Sequence, residues 1–205
     1  SADGGYDSGS ILIHGSPIKA NSIGQAVANG IGLVPEDRKE EGVLLSEPIR
    51  VNLTLPVIKK ISNIFSVVKK SKEQEICKKE VQRFQVRTTS SELEVGKLSG
   101  GNQQKVALAK WFASETKVIL LDEPTRGVDV GAKAEIYRLI AALAKNGVAV
   151  VIVSSELIEI IGICNRVAVM AGGQIAGFLE QDELTEKKII SLAIKGQSND
   201  IHIDP

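Results

Sequence analysis

The stretch from Leu98 to Asp129 limits what this chain can fold into more than any other. It opens on a polar glycine turn, Leu98-Ser99-Gly100-Gly101-Asn102-Gln103-Gln104-Lys105. A helix-forming run follows, with Val106, Ala109, Trp111, Phe112 and Ala113 filling the faces behind the turn. Next comes an apolar run, Val118-Ile119-Leu120-Leu121, that stops at Asp122-Glu123-Pro124, and the stretch closes on Gly127-Val128-Asp129-Val130. A short apolar run bounded by turn formers predicts a buried parallel strand. Helix and buried parallel strand in alternation point to an α/β layer structure.

Each piece has a chemical reading. A helix amino terminus offers free N–H groups and a partial positive charge, which suits a phosphate, and two glycines there leave room for an anion. Adjacent carboxylates at the end of a strand fit a Mg²⁺ ligand acting through water (Asp122) and a residue that polarises an attacking water (Glu123). Singly these signals are weak, because most Ser-Gly-Gly turns are plain loops and most acidic strand ends are merely solvated. Their order and short interval give them weight.

Leu98–Gly101, Leu120-Leu121-Asp122-Glu123-Pro124 and Gly127-Val128-Asp129 resemble the signature, Walker B and D-loop of an ABC-type ATPase. The longer wording, Leu98 to Ala107 with Asp122 to Lys133, is similar to the second nucleotide-binding half of the ATP-binding subunit of bacterial monosaccharide importers (ribose, galactose, xylose type). The likeness runs from about Ser10 to Gln197. It implies a P-loop-NTPase-like cassette: a parallel core sheet flanked by helices, short antiparallel strands, and a helical subdomain over residues 50–98 within a domain over 10–197. It also implies ATP and Mg²⁺ as cofactors and a sister nucleotide-binding half as partner. Transmembrane permease subunits and, indirectly, a periplasmic or lipoprotein solute-binding protein complete the set. The implied location is the cytoplasmic face of the plasma membrane.

The resemblance also sorts the site residues. Ser99, Gly100, Gly101, Asn102 and Asp129 would serve a nucleotide in trans, across a subunit boundary. Asp122 and Glu36 would hold Mg²⁺, and Glu123, Ser155 and Glu36 would be catalytic. Three positions depart from the general ABC pattern. The Q-loop residue is Glu36 instead of Gln, which adds negative charge beside a triphosphate. The switch residue is Ser155 instead of His, shorter and unable to carry positive charge. The fifth signature residue is Asn102. The pattern G-x-x-x-x-G-K-[ST], which grips the β- and γ-phosphates, does not occur. By resemblance it precedes the Ser8–Gly15 region, so the chain is expected to start just after it, without the first strand, and to be inactive alone. These departures predict a half that hydrolyses little at its own site and mainly lends its signature. Two other readings stay open: a non-catalytic regulatory half, and a soluble ABC ATPase of the translation or repair kind.

Composition fits a soluble domain of 205 residues, with 43% hydrophobic and 24% charged residues. The formal net charge of zero suggests neither a nucleic-acid partner nor an acidic-membrane surface. Cys77 and Cys164 show no disulfide or metal spacing and read as idle reduced thiols of a cytosolic protein. His14 and His202 read as surface residues. No apolar run approaches the roughly 20 residues that span a bilayer. Ser1–Gly5 does not read as a signal peptide.

Along the chain, residues 1–9 and 198–205 read as loose ends. Ile11–Ile13, Ile31–Val34 and Val148–Val153 read as strands, the last buried. Pro35 to Gly42 reads as a charged, solvated turn. Ile49 to Val86 reads as helical and lysine-rich, with Cys77, Val81 and Phe84 on one face and solvated lysines opposite. Ile136, Leu139, Ile140 and Leu143 mark a helix that stops at Asn146-Gly147. Strand, helix and strand at this length predict a parallel crossover that gathers Asp122, Glu123, Ser154, Ser155 and Glu156 at one edge. Arg166–Met170 and Gln174–Leu179 read as a hairpin, and Thr185 as the cap of a last helix stapled by Leu184 and Ile189.

Overall fold

The structure, a computed structural model, describes residues 8–13, 15–18 and 22–198. The expected loose ends at 1–7 and 199–205, together with His14 and His202, lie outside those residues. The chain falls into two compact units that divide after Val153.

The first unit begins with β1 (Ile11–Ile13) antiparallel to β2 (Ser16–Ile18), then α1 (Ile23–Ala28), capped by the Ser22 hydroxyl, which accepts from the Gln25 N–H at 3.3 Å. Strand β3 (Ile31–Val34) leads to a π-helical turn, Arg38–Gly42. Helices α2 (Ile49–Thr54), α3 (Ile58–Ile61) and α4 (Lys70–Arg83) form the expected helical region. Then come α5 (Gly100–Ala113), β4 (Val118–Asp122), α6 (Val130–Lys145) and β5 (Ala149–Val153).

The three long strands form one parallel sheet in the order β3-β4-β5. Apolar β-branched runs make these strands, and α6 joins β4 to β5 and packs on the latter. Ile136, Ile140 and Leu143 are the buried stripe of α6, and the helix ends at Asn146, before Gly147, as its sequence foretells. A second cluster, Ile49, Leu53, Phe84, Val95, Val106 and Leu108, sits where α2, α4 and α5 meet. Phe84 meets Phe112 edge-on, with centroids 5.0 Å apart. The Trp111 indole N–H donates to the Leu33 carbonyl at 2.7 Å and ties α5 to β3.

The sheet corrects one expectation. Val118–Leu121 and Val148–Val153 read as buried strands, yet among the described residues one face of the sheet is left exposed. Ile119 and Leu121 are buried, whereas the row Leu33, Leu120 and Val151, which lie opposite one another in register, is exposed, as is Val153. The apolar run in β5 shows what the strand is made of, but not which neighbours lie over it.

The second unit holds α7 (Leu157–Ile163), an antiparallel hairpin of β6 (Arg166–Ala171) and β7 (Gln174–Glu180), and α8 (Glu186–Ser198) packed on the hairpin. Gly172 and Gly173, with φ of 55° and 75°, make a tight turn that side chains resist. Thr185 accepts from the Lys188 N–H at 3.3 Å, and Leu184 and Ile189 are buried, as the expected cap and staple require.

Candidate functional site

The signature-like turn lies at the amino end of α5. Ser99 occupies the N-cap position but makes no side-chain cap hydrogen bond. Its Oγ instead accepts from the Asn102 side-chain amide at 2.9 Å, and Asn102 Oδ1 accepts from the Arg87 N–H at 2.8 Å. A hydroxyl oxygen engaged as acceptor leaves its own O–H to donate outward. Ser99 is exposed, Gly100 half-buried and Gly101 buried.

The glycines answer to the protein's own packing as well as to any ligand. A Cβ on Gly100 would stand 2.9 Å from Arg38 Nη2, and one on Gly101 would stand 2.7 Å from the Ala132 Cβ. The glycine turn therefore lets the start of α5 press against the start of α6. Between them lies a surface depression of about 220 Å³ bordered by Ser99, Gly101, Asn102, Asp129 and Gly131. Asp129 caps α6, its Oδ1 accepting from the Ala132 N–H at 2.9 Å.

Around this depression the cations Lys105 and Arg87 are matched by the carboxylates Glu135 and Asp129. The buried Lys105 ammonium donates to Glu135 Oε2 at 2.6 Å and to the Gln85 carbonyl at 3.1 Å, and Arg87 reaches Glu135 Oε1 at 3.1 Å. The hydrogen bond from Lys105 holds the Glu135 carboxyl below the usual range. The opening is lined by the Ser99 hydroxyl and the start of α5, with the Asp129 and Glu135 carboxylates and the Arg87 and Lys105 cations around them. The helix start bears a partial positive charge, which fits an anion.

The acidic pair lies at the carboxyl end of β4. Asp122 ends β4 opposite Val153 of β5, and the Glu123 N–H continues the ladder to the Val153 carbonyl at 2.8 Å. Glu123 has φ of 43°, a left-handed conformation that costs a side-chain-bearing residue about 1 kcal/mol or more. Both residues are half-buried. Ser155 follows β5 by two residues and belongs to the second unit.

The loop after β3 differs from a solvated turn. Asp37 Oδ1 accepts from the Lys39 and Glu40 N–H groups at 2.9 and 3.2 Å and starts the π-helical turn. Arg38 is buried, and its guanidinium donates to the carbonyls of Arg126 and Gly127 at 2.8 and 3.3 Å. Burial lowers its pKa, with Asp37 opposing. Glu36 forms an ion pair with Arg126. The Q-loop-like segment is thus fastened to the D-loop-like one, and Arg38 also touches the signature turn. Sequence reasoning passed over Arg38, Arg126 and the Lys105–Glu135 pair. Within Glu36-Asp37-Arg38-Lys39-Glu40-Glu41 nothing marks one charge as buried.

A family model described as ABC transporter matches residues 3–126. The chain belongs to the ABC transporter family. Among ABC proteins it is similar to the putative ribose/galactose/methyl galactoside import ATP-binding protein 1 of Rhizobium meliloti, at 48% identity over 92% of this chain and 37% of that one. It is also similar to the ribose import ATP-binding protein RbsA of Lactococcus lactis subsp. lactis, at 46% identity over 93% of this chain and 38% of that one. The chain thus spans little more than a third of the length of these relatives. The ADP conformation of MJ1267, an ATP-binding cassette of an ABC transporter, aligns over 92% of this chain and 77% of that one, with a TM-score of 0.73 and 21% identity. Clostridium perfringens cbiO1, part of the ABC transporter complex cbiONQ, aligns over 90% and 70%, with a TM-score of 0.71 and 24% identity. The fold is the α/β ABC cassette that the motifs imply. No helix among the described residues is long and apolar enough to cross a membrane.

Proposed function

We propose that this chain is an ATP-binding cassette of a sugar importer's ATP-binding subunit, and that it works chiefly by presenting Ser99, Gly100, Gly101, Asn102 and Asp129 to a nucleotide held by a sister cassette. The open depression between the starts of α5 and α6 carries the reading, because signature and D-loop residues border one space with the Ser99 hydroxyl at its rim. The relatives' printed names, ribose and galactose import ATP-binding proteins, supply the transport role. On this reading permease subunits take up the work of closing and reopening the cassette pair, a solute-binding protein delivers the sugar to them, and the chain lies against the cytoplasmic face of the membrane.

At the cassette's own nucleotide, Asp122 is the residue suited to hold Mg²⁺ through water, and Glu123 to polarise the attacking water. The ion, when bound, supplies charge neutralisation for the phosphates. Glu36 has Arg126 as its partner, so a role on the metal requires that ion pair to open. This pairing favours a second reading for the chain's own site, a half that binds nucleotide without turning it over. Ser155 in place of His points the same way.

The test uses a subunit of the relatives' full length that carries this cassette. Ser99→Arg, which fills the depression, is expected to abolish ATP turnover, and Ser155→Ala to change it by less than about twofold. If Ser155→Ala proves the more damaging, the signature is not this half's main contribution.

A further inference from the structure

The whole chain is neutral, but its charge is unevenly spread. From Leu55 to Lys72 it carries Lys59, Lys60, Lys69, Lys70 and Lys72 and no acidic residue. All five lysines are exposed. Lys60 pairs with Glu115 at 3.2 Å, and the other four have no ion pair among the described residues.

At the centre of this segment α3 and α4 are joined by a small hairpin. Ser62 bridges Val68 antiparallel, and the Asn63 N–H donates to the Val67 carbonyl and the Lys69 N–H to the Ile61 carbonyl, both at 2.9 Å. Asn63 Oδ1 accepts from the N–H groups of Phe65 and Val67 at 2.9 and 3.0 Å, and the Ser66 N–H donates to the Asn63 carbonyl at 2.9 Å. Most of the tip's backbone donors are thus satisfied within it. The tip lifts Ile64 and Phe65 into solvent, 92% and 79% exposed, with Val67 beside them at 60%.

Two large apolar side chains are held out on a preformed turn, and exposed lysines flank it in sequence on both sides. A backbone that satisfies its own donors can enter an interface poor in water. Lysine is suited to such an interface, because its stem can lie along apolar groups while its ammonium reaches phosphates. A convex tip of two or three side chains offers far less area than a protein–protein interface needs.

We propose that the Asn63–Val67 hairpin docks on an anionic phospholipid surface, with Ile64 and Phe65 entering the headgroup–acyl boundary and Lys59, Lys69, Lys70 and Lys72 lying on lipid phosphates. The proposal stands apart from the nucleotide reading, since it uses none of the residues around Ser99 or Asp122.

The test is co-sedimentation of the chain with vesicles of phosphatidylcholine alone and of phosphatidylcholine mixed with an equal amount of phosphatidylglycerol. Binding to the mixed vesicles is expected to exceed that to the neutral ones by about tenfold and to fall in high salt. The double variant Ile64→Ser, Phe65→Ser and the pair Lys69→Glu, Lys70→Glu should each lose it by about tenfold, with thermal unfolding unchanged because all four side chains are exposed. With Phe65→Trp, emission should shift to the blue on mixed vesicles against a constant background from Trp111, the chain's one native tryptophan. Equal binding to both vesicles overturns the proposal, as does binding that survives Ile64→Ser, Phe65→Ser. Binding only to vesicles that carry a reconstituted membrane protein overturns it too, and assigns the tip to that protein.

Discussion

The Arg38 guanidinium donates to the main-chain carbonyl of Arg126 at 2.8 Å, across 88 residues of sequence. A second donation, to the Gly127 carbonyl at 3.3 Å, makes the contact a fork, and Gly100 packs against the same side chain. Three segments that sequence reasoning treated separately therefore share one buried cation. Movement of the loop after β3 has a direct route to the D-loop-like turn and to the start of α5.

Replacing Arg38 by Met leaves two carbonyls without their donor. The expected cost is about 1–3 kcal/mol in urea-induced unfolding, with no change in the slope of the transition. Arg38→Lys supplies one donor instead of a fork and should recover about half of the loss. A Met variant as stable as the parent would show that solvent replaces the guanidinium without cost.

Asp129 is assigned two duties, and substitutions separate them. As the cap of α6 it accepts from the Ala132 N–H. Asp129→Ala should therefore cost about 1 kcal/mol of stability, whereas Asp129→Asn, also a good cap, should cost only a few tenths. If the carboxylate serves a nucleotide across the subunit boundary, Asp129→Asn in the full-length subunit lowers ATP turnover while leaving the unfolding midpoint in place.

Lys110 gives the fold a pH signature. Its ammonium donates to the Gly42 carbonyl and lies 5.1 Å from the centre of the Trp111 ring, and burial lowers its pKa from 10.5 to about 8. Between those values the unfolded chain holds the proton more fully than the folded one. Stability therefore rises with pH through that window, and the burial penalty is present in full below about pH 8. Measured by denaturant titration, the parent should gain on Lys110→Met between about pH 7.5 and pH 10. A constant gap between the two would place the ammonium in water.

The chain contains no G-x-x-x-x-G-K-[ST] loop. By itself it is expected to bind Mg-ATP with a Kd above about 1 mM and to release no phosphate. Calorimetric titration checks the first point and a phosphate assay the second. Micromolar affinity would mean that residues other than a phosphate loop hold the nucleotide.

Much of this architecture is legible in the sequence because local chemistry decides it. The apolar runs read as strands at Ile31–Val34, Val118–Leu121 and Val148–Val153 fold as Ile31–Val34, Val118–Asp122 and Ala149–Val153, because short runs rich in β-branched residues suit a strand. The spacing of Ile136, Ile140 and Leu143, and of Leu184 with Ile189 around Thr185, carries over directly into burial. Contacts between distant residues escape such reasoning. The short pieces β2 and α1 carry too few residues for a pattern. Arg38 looks like any other charge in its run, and only the carbonyls of Arg126 and Gly127 explain its burial. The glycines at 100 and 101 suggest room for an anion, while the coordinates add Arg38 and Ala132 as neighbours already close against them.

The row of Leu33, Leu120 and Val151 bears on how this protein behaves in the tube. A greasy plane one strand-triplet wide attracts any similar plane, so copies at high concentration have a standing incentive to stack, whatever the nucleotide does. Mild detergents or low concentrations would be the natural conditions for keeping such a cassette monodisperse. A dye that brightens on apolar surfaces should find it without any unfolding.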